Sequence, residues 1–324
     1  MTPFRISDLR EQMELIFDKP PTPSCHASTI VEVGEGRLLA AWFGGKDEGA
    51  KDVQIYLSRF NGEAWGKPEI VGAEPGQPTW NPVLFRTEKG AIHLWYKAGP
   101  NPMSWTGYLR TSLDGGKTWG KPAMLPAGYY GPVRAKPIQV GKAILAGTSV
   151  ESYNCWTSYV DISTDDGLTW TRSGPIGVSG KFSQIQPTLY HIPGGKGERV
   201  AALMRSKDPR RICKAESADG GKTWTLAEAT DLLNPSSGID VARTGPEELF
   251  LIYNPSTVLR TPISLARSAD NGKTWNKVLD LETEVGEFSY PAMIFSEAGR
   301  LEITYTFNRK HIKHATVDPA PFRK

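Results

Sequence analysis

The chain has 324 residues, with 38 Lys and Arg against 35 Asp and Glu and a formal net charge of +3. So mild a balance, with no Lys/Arg run able to track phosphates, argues against nucleic acid as a partner. No stretch nears a membrane span of about 18 consecutive apolar residues, and Met1-Thr-Pro-Phe-Arg-Ile-Ser-Asp8 lacks the apolar core of a secretion signal.

The chain is therefore expected to be cytoplasmic, with no membrane partner. Cys25, Cys155 and Cys213 are odd in number and far apart, which fits neither a disulfide framework nor a CxxC metal site. No metal or organic cofactor is expected. The content of 33 Gly, 25 Pro and 10 Trp, without a long amphipathic helical pattern, suits an all-β chain full of tight turns. Helix is expected only near Ser7 to Met13.

Residues 1–24 form a lead-in whose segment Met13-Glu-Leu-Ile-Phe-Asp18 alternates as a strand does. Beyond it an octapeptide recurs. It reads Ser112-Leu-Asp114-Gly-Gly116-Lys-Thr118-Trp119, and returns with the same Ser, Asp, Gly, Thr and Trp from Ser163 to Trp170, Ser217 to Trp224 and Ser268 to Trp275. A worn copy, Ser58 to Trp65, keeps only Ser, Gly and Trp. The steps from Ser to Ser are 54, 51, 54 and 51 residues, and a fixed period of that size means stacked supersecondary units. Dividing the length by the period gives about six four-stranded blades in one ring, a single domain over 1–324. A ring must close, so Met13–Asp18 is expected to supply the outer strand of the last blade. Within the octapeptide, Asp and Gly suit a tight turn, Ser and Thr add bonds across it, and Trp is expected to bury its ring on the unit's own sheet.

Each unit opens with a comparable phrase: Cys25-His26-Ala27, Trp80-Asn81-Pro82, Ala135-Lys136-Pro137, Ile185-Gln186-Pro187, Ser236-Ser237-Gly238-Ile-Asp240 and Ser289-Tyr290-Pro291. Pro is tolerated at a strand's first residue, so His26, Asn81, Lys136, Gln186, Ser237 and Tyr290 read as equivalent residues at the mouths of six inner strands. A second ring is expected where second strands return to the same mouth. Its members include Asp47 and Glu48 after Trp42-Phe43, then Lys97, Ser149 to Glu151, Arg205, Asn254 and Phe307 to Arg309. The basic stretch Arg309 to His314 alternates as a final strand would.

The octapeptide resembles the Asp-box, or BNR repeat, of the sialidase superfamily, whose members are β-propellers. That resemblance covers nearly the whole chain and implies a six-bladed propeller acting on an acidic carbohydrate. It implies a Tyr nucleophile at the start of the last blade, matched by Tyr290. It also implies triad arginines, matched by Arg205 and by Arg260 just before the fourth full box, whose planar forks would grip a carboxylate beside Lys136. The acid/base role falls to Asp47 or Glu48. Asn81, Gln186, Lys97, Asp240 and Asn254 are further candidates for substrate contact.

Two positions depart from the family pattern. The Phe-Arg-Ile-Pro motif of the first blade is replaced by Cys25-His26-Ala27-Ser28, and the similar Phe4-Arg5-Ile6-Ser7 stands too far upstream. Gln186 stands where the family carries the Glu that activates Tyr. His26 can shuttle protons near neutral pH. The leading expectation is a retaining glycoside hydrolase that removes a terminal acidic sugar, with His26 on a ring hydroxyl. Alternatives are a lyase that eliminates beside a uronate, with His26 or Tyr290 as base, and a non-catalytic glycan-binding propeller.

Overall fold

The computed structural model describes residues 13–177, 183–194 and 198–323. Six antiparallel sheets of four strands follow one another along the chain. From inner to outer strand, the first blade is Ser24–Gly34, Arg37–Gly45, Gln54–Phe60 and Glu69–Gly72. The second is Thr79–Arg86, Ile92–Ala98, Thr106–Ser112 and Ala123–Met124. The third is Ile138–Val140, Ala143–Glu151, Trp156–Ser163 and Thr171–Ile176. Then come Gln184–Ile192, Arg199–Ser206, Arg211–Ser217 and Glu228–Leu233, followed by Asp240–Arg243, Leu249–Tyr253, Ile263–Ser268 and Asn276–Glu282. The last blade takes Phe288–Phe295, Leu301–Phe307 and His311–Val317 from the C-terminal end and Met13–Leu15 from the N-terminal end. Among the described residues the only helical pieces are two short 3-10 turns, Pro102–Ser104 and Ala320–Arg323. Helix expected near Ser7 lies outside the described residues up to Met13, which begins a strand.

Second strands such as Leu38-Leu-Ala-Ala-Trp-Phe43 and Val200-Ala-Ala-Leu-Met204 are buried at every position. A blade is covered on both faces by its neighbours, so its middle strands are continuously apolar rather than alternating. The ring closes as expected: Met13, Glu14 and Leu15 pair with Ala315, His314 and Lys313. Ile16 extends the clasp by donating its N–H to the Ile312 carbonyl at 3.0 Å, and Phe17 packs 5.1 Å from Trp42.

The repeated octapeptide joins third strand to outer strand. In its first full copy Ser112 Oγ donates to Asp114 Oδ1 at 2.7 Å and accepts from Gly116 N at 2.8 Å. Asp114 in turn accepts from Thr118 N at 2.9 Å and from Thr118 Oγ1 at 2.6 Å. The other three full copies repeat the pattern. The box Trp packs on its own sheet as expected, in the cluster that holds Val200, Ala202 and Met204, and it reaches the preceding blade as well. Trp224 joins the cluster of Leu145, Val160 and Ile176, and its Nε1 donates to Ser173 Oγ at 3.1 Å. A side chain on Gly221 would come within 2.7 Å of Leu145, and one on Gly167 within 3.3 Å of Trp95, each in the preceding blade. The positive φ of these glycines, +87° and +86°, suits the turn as well. A local hydrogen-bonded turn thus presents a ring that bolts two blades together.

Candidate active site

Four inner strands begin with the same irregularity. Register shifts leave Ala27-Ser28, Asn81-Pro82, Gln186-Pro187 and Tyr290-Pro291 unpaired between His26 and Thr29, Trp80 and Val83, Ile185 and Thr188, and Ser289 and Ala292. The first residue of each pair takes a positive φ of 57°, 38°, 57° and 52°. For a non-glycine residue that conformation costs about 1–2 kcal/mol, and Pro after it loses no ladder hydrogen bond. Backbone angles and register correct three of the six presumed equivalences, that of Lys136 because it has no positive φ and its strand pairs only from Ile138 without a bulge. Ala27, not His26, matches Asn81, Gln186 and Tyr290, and in the fifth blade the left-handed residue is Ser236, φ 59°, not Ser237. Neither phrase carries the Pro that fixes the alignment, and a one-residue slip moves every side chain to the other face.

His26 and Tyr290 nevertheless meet at one mouth of the channel, with ring centroids 4.2 Å apart. Around the Tyr290 ring stand three guanidinium groups, those of Arg134, Arg205 and Arg260, with their central carbons at 5.4, 5.5 and 5.4 Å from its centroid. Arg205 Nη1 donates to the Tyr290 hydroxyl, and Arg134 Nη2 donates to the Pro291 carbonyl. His26 Nδ1 is hydrogen-bonded to Thr306 Oγ1 at 2.9 Å, and Ala27 N donates to the same hydroxyl at 3.2 Å. Burial, reinforced by the charges of Arg309, Arg260, Arg134 and Arg205, holds the His26 imidazole well below its ordinary pKa, so it is neutral.

Glu287 ties this group to the rim. It accepts from Arg260 Nη1 and Arg309 Nε, both at 2.7 Å, and from Ser289 Oγ at 3.0 Å. Burial alone would raise its carboxyl, but the Arg309 and Arg260 charges and hydrogen bonds outweigh that and hold it below the usual range. Arg309 Nη1 reaches on to Glu48 at 2.5 Å, while Asp47 Oδ1 accepts from Glu48 N at 2.8 Å in the exposed loop of the first blade. Three arginines therefore surround Tyr290, and a fourth, Arg309, is joined to them through Glu287, with only some of their charge answered, an arrangement that favours an anion.

Buried polar atoms without a protein partner cluster here. They include Arg134 Nε and Nη1, Arg205 Nε, Gln186 Oε1 and the hydroxyls of Ser236 and Ser237. Buried polar groups are nearly always satisfied, so such a set marks a place for a polar ligand or water. Among the described residues no group of three His, Cys, Asp or Glu side chains could hold a metal ion.

Several expected contact residues do not join this group. Lys136 Nζ donates to Asp240 Oδ2 and to the Val241 carbonyl, both at 2.9 Å, while Asp240 also accepts from Thr188 Oγ1 at 2.8 Å and Met293 N at 2.9 Å. That network ties four blades together inside the channel. Lys97 is fully buried on the carbonyls of Asn81, Pro132 and Val133, and burial followed by the Arg134 charge pushes its pKa well down. Asn254 Nδ2 donates to the carbonyls of Pro262 and Phe288, each at 2.9 Å. Both amino groups satisfy backbone left open by the bulges and loops. Asn81 is likewise buried, and its carbonyl receives Lys97.

Arg134, Glu287 and Thr306 were not singled out from the sequence, whereas Arg309 was placed in the second ring without a role. Arg134 stands immediately before the phrase Ala135-Lys136-Pro137, and Glu287 three residues before Tyr290. A count of charged residues beside the six phrases would have found both.

Residues 36–303 match the BNR repeat-like domain family. A sialidase of Bacteroides fragilis is 21% identical over 93% of this chain, which spans 59% of that relative's length. Among solved structures, a Dyadobacter fermentans protein of unknown function superposes with a TM-score of 0.77 at 20% identity, covering 94% of this chain and 98% of its own. The NanB sialidase of Streptococcus pneumoniae gives 0.79 at 12% identity, covering 95% and 71%.

Proposed function

Because the chain belongs to the BNR repeat-like domain family, we propose that it is a sialidase-like glycoside hydrolase that removes a terminal acidic sugar through a Tyr290 nucleophile. One observation carries this reading: the Tyr290 hydroxyl is bonded to Arg205 inside a cage of three arginines, two of which keep buried donors unpaired. Such donors suit a planar carboxylate, which guanidinium forks bind in pairs. The substrate's carboxylate would lie against Arg205 and Arg260, bringing its anomeric carbon over Tyr290. The exposed loop carboxyls Asp47 and Glu48 would serve the leaving oxygen. His26, buried and already bonded to Thr306, supports the Tyr290 ring from beneath better than it would bind a ring hydroxyl.

The test uses 4-methylumbelliferyl N-acetylneuraminide and the matching glucuronide. Wild type is expected to release the fluorophore from one of them, and Tyr290→Phe to lose turnover by about a hundredfold or more while still binding the free acid sugar. Turnover retained by the Phe variant would reject Tyr290 as nucleophile. Binding without turnover in both proteins would favour a glycan-binding propeller.

A neutral His26 against Tyr290, together with an amide at 186, supports β-elimination beside a uronate as the second reading. Elimination creates an unsaturated product that absorbs in the near ultraviolet. Cleavage of a uronate-containing oligosaccharide without that absorbance would exclude it.

A further inference from the structure

We propose that the end of the channel opposite the Tyr290 mouth is a second binding site, one that takes a small neutral molecule with an apolar body and an alcohol hydroxyl. It does not rest on Tyr290 being a nucleophile. At that end a cavity of about 360 Å³ is lined from all six blades, among others by Glu32, Phe85, Lys136, Tyr190, Arg243 and Phe295. The first inner strand passes from His26 at the Tyr290 mouth to Glu32, and the last passes from Tyr290 to Phe295. Tyr290, Arg134, Arg205 and Arg260 do not line it.

The bonds that join Lys136, Asp240, Thr188 and Met293 separate the two ends. Thr188, Asp240 and Met293 each stand one residue before a lining residue, Leu189, Val241 or Ile294, on the side toward the Tyr290 mouth. That network is the inner end of the cavity.

Apolar walls with a few placed polar groups are the ordinary make-up of a small-molecule site, and this volume lies at the lower end of the usual range. Most of the charge in the wall is answered. Arg86 pairs with Glu297 at 3.1 Å, and Lys136 with Asp240 at 2.9 Å. Two groups keep unused capacity. Arg243 gives Nη1 and Nη2 to the carbonyls of Gly245, Pro246 and His191 and to Asn271 Oδ1, but its buried Nε has no partner among the described residues. Glu32 is 8% exposed, and while its Oε2 accepts from Glu297 N at 2.7 Å, its Oε1 has no partner among them either.

One carboxylate and one guanidinium thus stand in the wall bonded only to backbone and amide groups. An anionic ligand would meet the first and a cationic ligand the second, each away from bulk water. A hydroxyl escapes both penalties, because it is neutral and can donate to Glu32 Oε1. Buried polar atoms are nearly always satisfied, and an apolar body on Phe85 and Phe295 would shield that bond from solvent.

The experiment follows the isoleucine δ1-methyl resonances of the labelled protein, in which Ile30, Ile138 and Ile294 report on the cavity and Ile185, beside Gln186, on the Tyr290 side. 2-Phenylethanol is expected to shift the first three saturably and to leave Ile185 in place. 2-Phenylethylammonium and phenylacetate, which carry a charge on the same body, should bind at least about tenfold more weakly. Glu32→Leu should weaken the alcohol by about tenfold, with the Ile185 resonance unchanged as the sign of an intact fold. No saturable shift at the solubility limit, an equal response at Ile185, or either ion bound as tightly as the alcohol overturns the proposal. So does a folded Glu32→Leu that binds the alcohol within about threefold of wild type. If that variant does not fold, the comparison of the three head groups on wild type decides alone.

Discussion

Arg134 is a buried side chain whose hydrogen-bonding capacity the protein leaves partly unused. It is 1% exposed, yet two of its guanidinium nitrogens have no protein partner. Asp240 supports its charge and Arg205 opposes it, while burial, the largest effect, lowers its pKa to about 10. A buried cation with unanswered donors is destabilising, so Arg134→Met is expected to leave the melting temperature unchanged or raise it. The same variant should weaken binding of an acidic monosaccharide by about tenfold or more, the scale of one lost charge-assisted hydrogen bond. A calorimetric titration beside a thermal melt checks both, and a melting temperature that falls with affinity intact would mark Arg134 as structural. That Tyr290 and Arg205 meet was legible at this scale because the family pattern fixes where to look. Lys136 and Asp240, expected as substrate contacts, bond to each other, and sequence does not reveal that a lysine and an aspartate 104 residues apart form such a pair.

Two elements carry the predicted acid and base responses of the fold. In the boxes, hydrogen bonds from Thr169 and Thr223 hold the Asp165 and Asp219 carboxyls down to about 2, and Asp270 reaches about 2 because its Thr274 and Ser268 bonds outweigh burial. A depressed carboxylate contributes stability that is present above its unfolded value, near 3.9, and lost as pH falls through the folded one. The boxes should therefore weaken together between about pH 4 and pH 2. Asp270→Asn is expected to flatten that part of the acid-unfolding curve and to lower the neutral-pH melting temperature by a few degrees, and an unchanged acid limb would refute the role.

The closing clasp has the opposite sign. Burial alone would lower the His314 pKa, but hydrogen bonds and charge from Glu14 at 3.3 Å and Glu302 at 2.9 Å raise it instead. Its stabilisation is complete below the unfolded histidine value near 6.5 and lost as pH rises through the higher folded one. Hydrogen-exchange protection of Met13 to Leu15, corrected for intrinsic rate, should drop across that interval, and His314→Gln should remove the pH dependence.

At the scale of the whole molecule, the all-β six-bladed ring and its closure were legible in the sequence. A period of 51 to 54 residues counts the blades, and a strand-like segment before the first repeat has no partner unless the ring's ends meet. Those are local and periodic properties, fixed by which residues can turn, cap and bury along the chain itself. What only tertiary structure decided is which side chains share the wet end of the channel. The bulges set that outcome residue by residue, turning Tyr290 into the arginine cage and putting Ala27 rather than His26 in the equivalent place. Arg134, Arg205 and Glu287 enter the site from three separate blade segments because the ring brings distant loops to one axis. Proximity across that axis depends on blade packing and strand register, neither of which leaves a mark in the order of residues.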